Sequence, residues 1–296
     1  IGGVQTGIYN VVNLLQDEFE FHFIASHVPY IHPRFKALGH TSHIPQPWDL
    51  VKYLRTNQID LAQIQNVPYY TDCVIASRVP TIVERISMDR SASNSKHGVD
   101  WVIASSHGTI PLIEKTIDPT RITVIYNGTD LTKFRSLNPN RMGFSPDDVV
   151  IGRVSRIGSG KNLQMLLRAM DKIRLRHLNA KLVVVGDRTR RNEQKDMWPE
   201  LKALAEPLGP NVVFTGEVDQ PFNIMAGFDI ATCVSSSGNE GIPNSLIEAM
   251  ALGTPVVSTN VGQIDELVEQ DINGLLVPNE DLESLTDALE RLVVDP

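Results

Sequence analysis

Residues 235–278 read SSSGNEGIPNSLIEAMALGTPVVSTNVGQIDELVEQDINGLLVP, and the fold is decided here. Ser235 to Gly241 is a small, polar run, hence a loop, and it directly follows an apolar run from Phe228 to Val234. From Ser245 the pattern turns helical, with Leu246, Ile247, Met250 and Ala251 at the spacing of one helical face. Gly253 ends that helix, and Pro255 just beyond it prevents continuation. Pro255 to Ser258 then reads as a short buried strand, and the remainder as a second loop. Strand, polar loop, helix, strand is one parallel crossover unit.

Such a unit sets the helix N-terminus at the carboxyl edge of the sheet, where open α/β sheets bind ligands. Backbone N–H groups of Ile242, Asn244 and Ser245 lack intrahelical acceptors there, and Pro243 has none to offer. Orphan donors and the positive end of the helix dipole suit a phosphate, with roughly 0.3–2 kcal/mol per charge from the dipole alone. Two carboxylates flank the site, Glu240 in the loop and Glu248 in the first turn of the helix. Carboxylates do not attract phosphate, but they accept hydrogen bonds from the hydroxyls of a ribose or a sugar. A ligand with both phosphates and hydroxyls is a nucleotide sugar. A structural reading competes: Ser245-Leu-Ile-Glu248 has capping-box spacing, in which Glu248 only closes its own helix.

The stretch Glu240-Gly-Ile-Pro-Asn-Ser-Leu-Ile-Glu248-Ala-Met-Ala-Leu-Gly-Thr-Pro-Val-Val resembles the Glu-x7-Glu signature of the family-4 retaining glycosyltransferases. The similarity continues through Gly262, Glu266-Leu-Val and Asn273-Gly-Leu-Leu-Val-Pro278. It implies that Glu248 binds ribose hydroxyls and that Glu240 lies by the donor sugar and its phosphate. Gln263 departs from the pattern, standing where the family has a second Gly; its side chain narrows the room for the donor while its N–H stays usable.

With 296 residues the chain has room for one large domain or two ordinary ones. A net charge of −8 argues against nucleic acid and gives no pull toward an anionic membrane. Cys73 and Cys233 stand far apart, outside any disulfide or zinc framework, which fits a reducing cytosol. No apolar run approaches a membrane-spanning length and no signal peptide is visible. Ile1-Gly-Gly and Val293-Val-Asp-Pro both read as cuts in mid-pattern, so a truncated chain is expected, its first strand ahead of Ile1 and its C-terminal helices beyond Pro296.

In the first half, Gly2-Gly3-Val-Gln-Thr-Gly7 reads as a Gly-rich turn feeding a helix from Ile8 to Leu15. It is not Gly-x-Gly-x-x-Gly, so alone it is a weak phosphate signal; the resemblance implies that Gly2 and Gly3 face the donor. Strands are expected at Phe21–Ser26, Leu61–Gln65, Thr81–Ile86, Val99–Ser105 and Ile122–Tyr126, with a long connection over His27–Pro47. Helices are expected at Trp48–Thr56, around Tyr70–Ser77 and over Ser106–Lys115. This alternation implies a parallel, doubly wound sheet. Ser105-Ser106 and Val124-Ile-Tyr-Asn-Gly-Thr-Asp130-Leu-Thr-Lys-Phe134 resemble the family's N-terminal domain, the latter closing it. One departure concerns the acceptor side: many members carry a His soon after a Pro-led strand, where this chain has Glu84 and Arg85, either of which is a candidate replacement. The stretch Ser87–Gly98 after it is short and Ser-rich.

Arg135 to Asp148 has the composition of a linker, after which the alternation restarts. Strands at Val149–Val154, Leu182–Val185, Val212–Phe214 and Phe228–Val234 alternate with helices at Asn162–Arg176 and Leu201–Ala205. Between the first strand and helix lies Arg153-Val-Ser-Arg-Ile-Gly-Ser-Gly-Lys161. It is not a P-loop, because Ser155 stands where the first Gly belongs and Asn162 where Ser or Thr belongs. The resemblance implies that Arg153 and Lys161 clamp the donor diphosphate, with Arg156 beside them; the alternative is a solvated basic loop. The eight His residues form no spaced metal signature and there is no Asp-x-Asp, so no metal is expected.

The resemblance thus implies a GT-B architecture, two Rossmann-like domains facing across a cleft, an acceptor domain over 1–140 and a nucleotide-sugar domain over 141–296. It implies retaining transfer from an α-linked nucleotide-diphosphate sugar to a carbohydrate, lipid-linked or small-molecule acceptor, with no cofactor. The residues carrying it are Arg153, Lys161 and Glu240 in catalysis. On the donor they are Gly2, Gly3, Gly216, Val218, Gly241, Ile242, Pro243, Asn244, Ser245 and Glu248, the first two after Gly3 serving the base. A cytoplasmic protein with peripheral membrane contact is expected. A GT-B phosphorylase or epimerase and a non-catalytic nucleotide-sugar-binding subunit are the competing readings.

Overall fold

A computed structural model describes residues 3–25, 31–65, 68–86, 98–114, 117–187, 196–236 and 240–295. The chain divides into two units, Ile1–Gly128 and Thr129–Pro296.

The first unit runs α1 (Gly3–Leu15), β1 (His22–Ala25), α2 (Pro33–Lys36), β2 (His40–His43), α3 (Pro47–Thr56) and β3 (Leu61–Gln65). It continues α4 (Pro68–Ser77), β4 (Thr81–Ile86), β5 (Trp101–Ala104), α5 (Ile110–Ile113) and β6 (Ile122–Val124). Strands β3-β4-β5-β6 form one parallel sheet in sequence order, and β1-β2 a separate parallel pair. In β4 burial alternates, so Ile82, Glu84 and Ile86 face the core and Val83 and Arg85 the other side.

Three expectations are corrected in this unit. The helix already begins at Gly3, so Gly3 to Gly7 is helix and not a turn feeding one. Residues read as one long connection contain β2, whose sequence HTSH lacks the apolar alternation that marks a strand; its pairing to β1, with His22 opposite His40, defines it. The helix expected over Ser106–Lys115 is a short 3₁₀ turn at His107–Thr109 followed by the single turn of α5, because Pro111 cannot donate to a longer preceding ladder. Residues 87–97 lie outside the described residues.

The second unit runs β7 (Val149–Val154), α6 (Leu163–Ile173), β8 (Ala180–Val185), α7 (Trp198–Ala205), β9 (Val212–Phe214) and α8 (Phe222–Met225). Then come β10 (Ile230–Cys233), α9 (Asn244–Ala251), β11 (Val256–Thr259), β12 (Gly274–Val277) and α10 (Leu282–Val294). Its sheet is six-stranded and parallel in the order β12-β11-β10-β7-β8-β9. Both faces are covered, which is why strands such as β8 read as near-continuous apolar runs. One face packs Leu166, Leu167, Met170 and Ile173 of α6 with Leu285 and Leu289 of α10. The other packs Phe228, Leu246, Ala249 and Ile264. From β7 the chain first moves outward through β8 and β9, then returns to add β10, β11 and β12 on the other side of β7. That reversal leaves a crevice between the carboxyl ends of β7 and β10.

Three elements of this unit were not read from the sequence, the first being the single turn of α8. Gly274–Val277, taken as part of a loop, is the edge strand β12; a Cβ on Gly274 would sit 2.6 Å from the Val256 carbonyl oxygen, so only glycine lets the edge close there. Helix α10 is opened by Asp281, whose carboxylate accepts from Ser284 N–H at 3.0 Å. The segment read as a linker is docked on the second unit. Arg141 pairs with Asp229 at 2.9 Å, and Asn140 N–H donates to the Asn223 carbonyl at 2.7 Å. Among the described residues no helix is long and apolar enough to cross a membrane.

Candidate functional site

The carboxyl ends of β7 and β10 are tied together by side chains. Arg153, 1% exposed, projects from the end of β7 and donates to the Thr232 carbonyl at 3.0 Å and to Ser235 Oγ at 3.3 Å. Its Nε donates to Ser155 Oγ at 3.3 Å. Ser235 N–H donates to Thr259 Oγ1 at 2.9 Å, and that hydroxyl donates to the Ser235 carbonyl at 2.8 Å, so the loop leaving β10 is pinned to the end of β11. Ser236 N–H donates to the Gly160 carbonyl at 3.2 Å, which joins the loops after β7 and β10 directly.

Lys161 completes this junction. It closes a 3₁₀ turn over Ser159–Lys161, and Asn162, left-handed at φ 41°, redirects the chain into α6. The Lys161 ammonium meets the Glu240 carboxylate at 2.5 Å, with side chains 24% and 10% exposed. Two glycines make these close approaches feasible. Gly262 has φ +64°, and a Cβ on it would stand 1.8 Å from the Glu240 carbonyl oxygen. Gly186 has φ +134°, and a Cβ on it would stand 2.0 Å from the Ser155 carbonyl oxygen. Both conformations are ones that L side chains rarely adopt.

Helix α9 starts at Asn244 with Pro243 as its N-cap, and among the described residues no side chain caps it. Pro243 O accepts from Leu246 and Ile247 N–H, which leaves Ser245 N–H, at the second helical position, without an intrahelical acceptor. Ser245 therefore lies inside the helix, and the capping-box reading of Ser245 and Glu248 is overturned. Glu248 is 9% exposed, and burial pushes its carboxyl up to about 7, against a smaller downward pull from the Lys133 charge. Among the described residues no hydrogen bond to this carboxylate is recorded. Ile242 is buried, and Gly241, Pro243, Asn244 and Ser245 are half-buried. The Gln263 side-chain carbonyl oxygen is buried with no partner among the described residues.

The structure thus brings Arg153, Lys161, Glu240 and the α9 N-terminus to one sheet edge. Gly216 and Val218 follow β9 at the same edge, where Gly186 N–H donates to the Gly216 carbonyl at 2.9 Å. Arg156 is exposed. Gly2 and Ser237–Asn239 lie outside the described residues, and Gly3 sits in α1 of the first unit. Ser235, Thr259 and Lys133 were missed as site residues. Nothing in the spacing of two small hydroxyl residues flags them, and Lys133 stands in a motif read only as a domain end.

In the first unit, Glu84 is 3% exposed, its Oε2 has no hydrogen-bond partner among the described residues, and burial pushes its carboxyl up to about 7. Arg85, on the opposite strand face, donates to Asn127 Oδ1 at 2.6 Å, and burial lowers its pKa. A hollow of about 350 Å³ opens at the amino-terminal edge of β11 and β12, lined by Gly253, Pro255, Asn273 and Arg291. That is the edge opposite the one where parallel sheets present ligands, so it is not the candidate site.

The model for glycosyl transferases group 1 matches residues 148–295, half of the chain. An uncharacterized glycosyltransferase of Methanocaldococcus jannaschii is 32% identical over 185 residues, covering 59% of this chain and 45% of that protein. A D-inositol 3-phosphate glycosyltransferase of Rhodococcus erythropolis is 32% identical over 198 residues, covering 60% of this chain and 42% of that protein. The match spans less than half the length of most of these curated relatives and 64% of one, an N-acetyl-alpha-D-glucosaminyl L-malate synthase of Bacillus anthracis. The solved structure of Anabaena Alr3699/HepE in complex with UDP-glucose has a TM-score of 0.79 at 18% identity, covering 100% of this chain and 87% of that one. Its likeness shows the fold, α/β with parallel sheets in the GT-B manner. On the family match, the chain belongs to the glycosyl transferases group 1 family.

Proposed function

We propose that this chain binds a nucleotide-diphosphate sugar and transfers its sugar, with retention of configuration, to an acceptor hydroxyl. The observation that carries this reading is the Lys161–Glu240 pair at the junction of two strand ends, beside a helix N-terminus uncapped by any side chain. The α9 amides and the Lys161 ammonium take the diphosphate. Glu248, buried and with no side-chain hydrogen bond among the described residues, accepts hydrogen bonds from the ribose hydroxyls, and Glu240 stands by the sugar. Gly216 and Val218 border the base.

In the reaction the bond from the anomeric carbon to the β-phosphate oxygen breaks, and the acceptor oxygen bonds that carbon on the same face. The acceptor proton leaves with the departing diphosphate. Negative charge grows on the leaving oxygen, where a fixed cation and aligned amides act with little reorganisation. Lys161 faces the ligand directly. Arg153, with its donors already bonded to Thr232 and Ser235, supplies buried positive charge and holds the strand ends in place. Those charges neutralise a diphosphate without a divalent ion, so transfer is metal-independent in this reading. The acceptor is a carbohydrate, a lipid-linked sugar or a small molecule.

Anabaena Alr3699/HepE was solved with UDP-glucose, so uridine diphosphate sugars come first in a thermal-shift screen of donors. A raised melting temperature with one sugar nucleotide, followed by release of nucleoside diphosphate and an axial product linkage by NMR with an acceptor, supports the reading. Donor binding without turnover on any acceptor favours a binding subunit. An inverted linkage refutes retention.

A further inference from the structure

We infer a zinc(II) site in the first unit, formed by Glu20, His22 and His40. The two imidazoles belong to register partners on β1 and β2, with ring centroids 4.7 Å apart. Both present Nε2 to one carboxylate oxygen: His22 Nε2 lies 3.3 Å and His40 Nε2 3.0 Å from Glu20 Oε1. One ligand atom from each of the three residues lies within 4.8 Å of the others. Ligand atoms held about 2.05 Å from a tetrahedral zinc stand about 3.3 Å apart, so two of the three edges already have the required length. Two imidazoles and one carboxylate are a ligand set that zinc accepts, with the fourth position left to water.

Two further observations point the same way. His22 is oriented from behind, its Nδ1 lying 2.8 Å from the Tyr53 hydroxyl. A tyrosine hydroxyl can accept from Nδ1–H, which leaves the Nε2 lone pair free for a metal; such an outer partner is the usual companion of a ligating histidine. The two strands differ in how they are anchored: β1 packs Ile24 on the core of the unit and Phe23 on Phe35, and β2 has no such contact to offer. Neither β1 nor β2 contains a buried residue, and β2, HTSH, has no aliphatic side chain to place in a core. A metal joining Glu20 and His22 to His40 clips β2, which has no hydrophobic packing of its own, to β1, which does. The His residues carry no regular spacing in sequence because the site is assembled by strand pairing. The site is structural and distinct from the transfer reaction proposed above.

The test uses untagged full chain, stripped with chelator and dialysed, then titrated with zinc(II) by calorimetry and with cobalt(II) by visible absorption. One equivalent of zinc is expected to bind, cobalt should show the intense bands of a four-coordinate ion, and the melting temperature should rise with zinc. His40→Ala and Glu20→Gln, at exposed positions, should each weaken zinc at least 10-fold with circular dichroism unchanged. Tyr53→Phe should weaken it about 10-fold through the His22 orientation. Absence of saturable zinc binding, or binding unchanged in both His40→Ala and Glu20→Gln, overturns the site and leaves a surface carboxylate–imidazole contact.

Discussion

Lys161 and Glu240 stand 2.5 Å apart with side chains only 24% and 10% exposed, so loss of either partner strands a largely buried charge as well as changing the local field. Lys161→Ala should lower kcat by about 10²–10³-fold, the size of one lost charge-stabilising donor, with the far-ultraviolet spectrum near wild type and the melting temperature lowered by the unpaired Glu240 carboxylate. Steady-state kinetics beside circular dichroism checks this; wild-type kcat removes Lys161 from the diphosphate. Glu248 titrates near 7 because it is buried, and the ribose needs its ionised form. Donor affinity should therefore fall as pH drops from about 8 to 6, and Glu248→Gln should bind weakly with little pH dependence, both read by calorimetry. Glu84 gives the opposite experiment, on stability. Its carboxyl is raised from 4.5 to about 7, so the folded state holds the proton longer than the unfolded chain, and stability drops as pH rises between those values. Glu84→Gln should remove that drop and gain up to about 3 kcal/mol over wild type at pH 8 relative to pH 4.5, measured by denaturant unfolding. Glu240 and Glu248 were legible as a pair of acids at fixed spacing. Their separate environments, one salt-bridged and one buried, were not, because burial is set by residues distant in sequence.

Elements with a strong period were legible, and those defined by a partner were not. Helix α6 could be read from Leu163, Leu166, Leu167, Met170 and Ile173, all buried on one face. Strands β3, β4, β7 and β9 fall where the sequence places them, because apolar runs between turn residues fix their ends. Strand β2 was invisible because polar residues carry it, and β12 because it opens on the glycine of Asn273-Gly274, a turn dipeptide. The start of α9 also needed the structure: Pro243, not Ser245, is the N-cap, which is what frees Glu248 for a ligand. The 240–243 and 261–263 loops are locked at a single glycine, and Gly262→Ala tests that contact. With a Cβ aimed 1.8 Å from the Glu240 carbonyl and φ at +64°, the backbone must shift. The variant should lose about 1–3 kcal/mol of stability and at least 10-fold in donor affinity, by denaturant unfolding and calorimetry. Full affinity would show that the loop position does not matter to the donor.

Across the molecule, the parallel alternation was legible for most strands and helices of the second unit, and the strand order β9-β8-β7-β10-β11-β12 then follows from where a crossover can return. The first unit was less legible, since its six strands are split between two sheets and its polar strand pair has no hydrophobic signature. Charge balance at the site predicts that transfer persists in excess chelator, in an assay below the melting temperature; strict dependence on added manganese contradicts it. The account depends above all on where the diphosphate lies. A crystal structure with a nucleoside diphosphate is the most direct measurement. The account predicts phosphate oxygens on the Ser245 amide and Lys161, with ribose hydroxyls on Glu248. A diphosphate bound elsewhere on the chain, with Glu248 untouched, would contradict it.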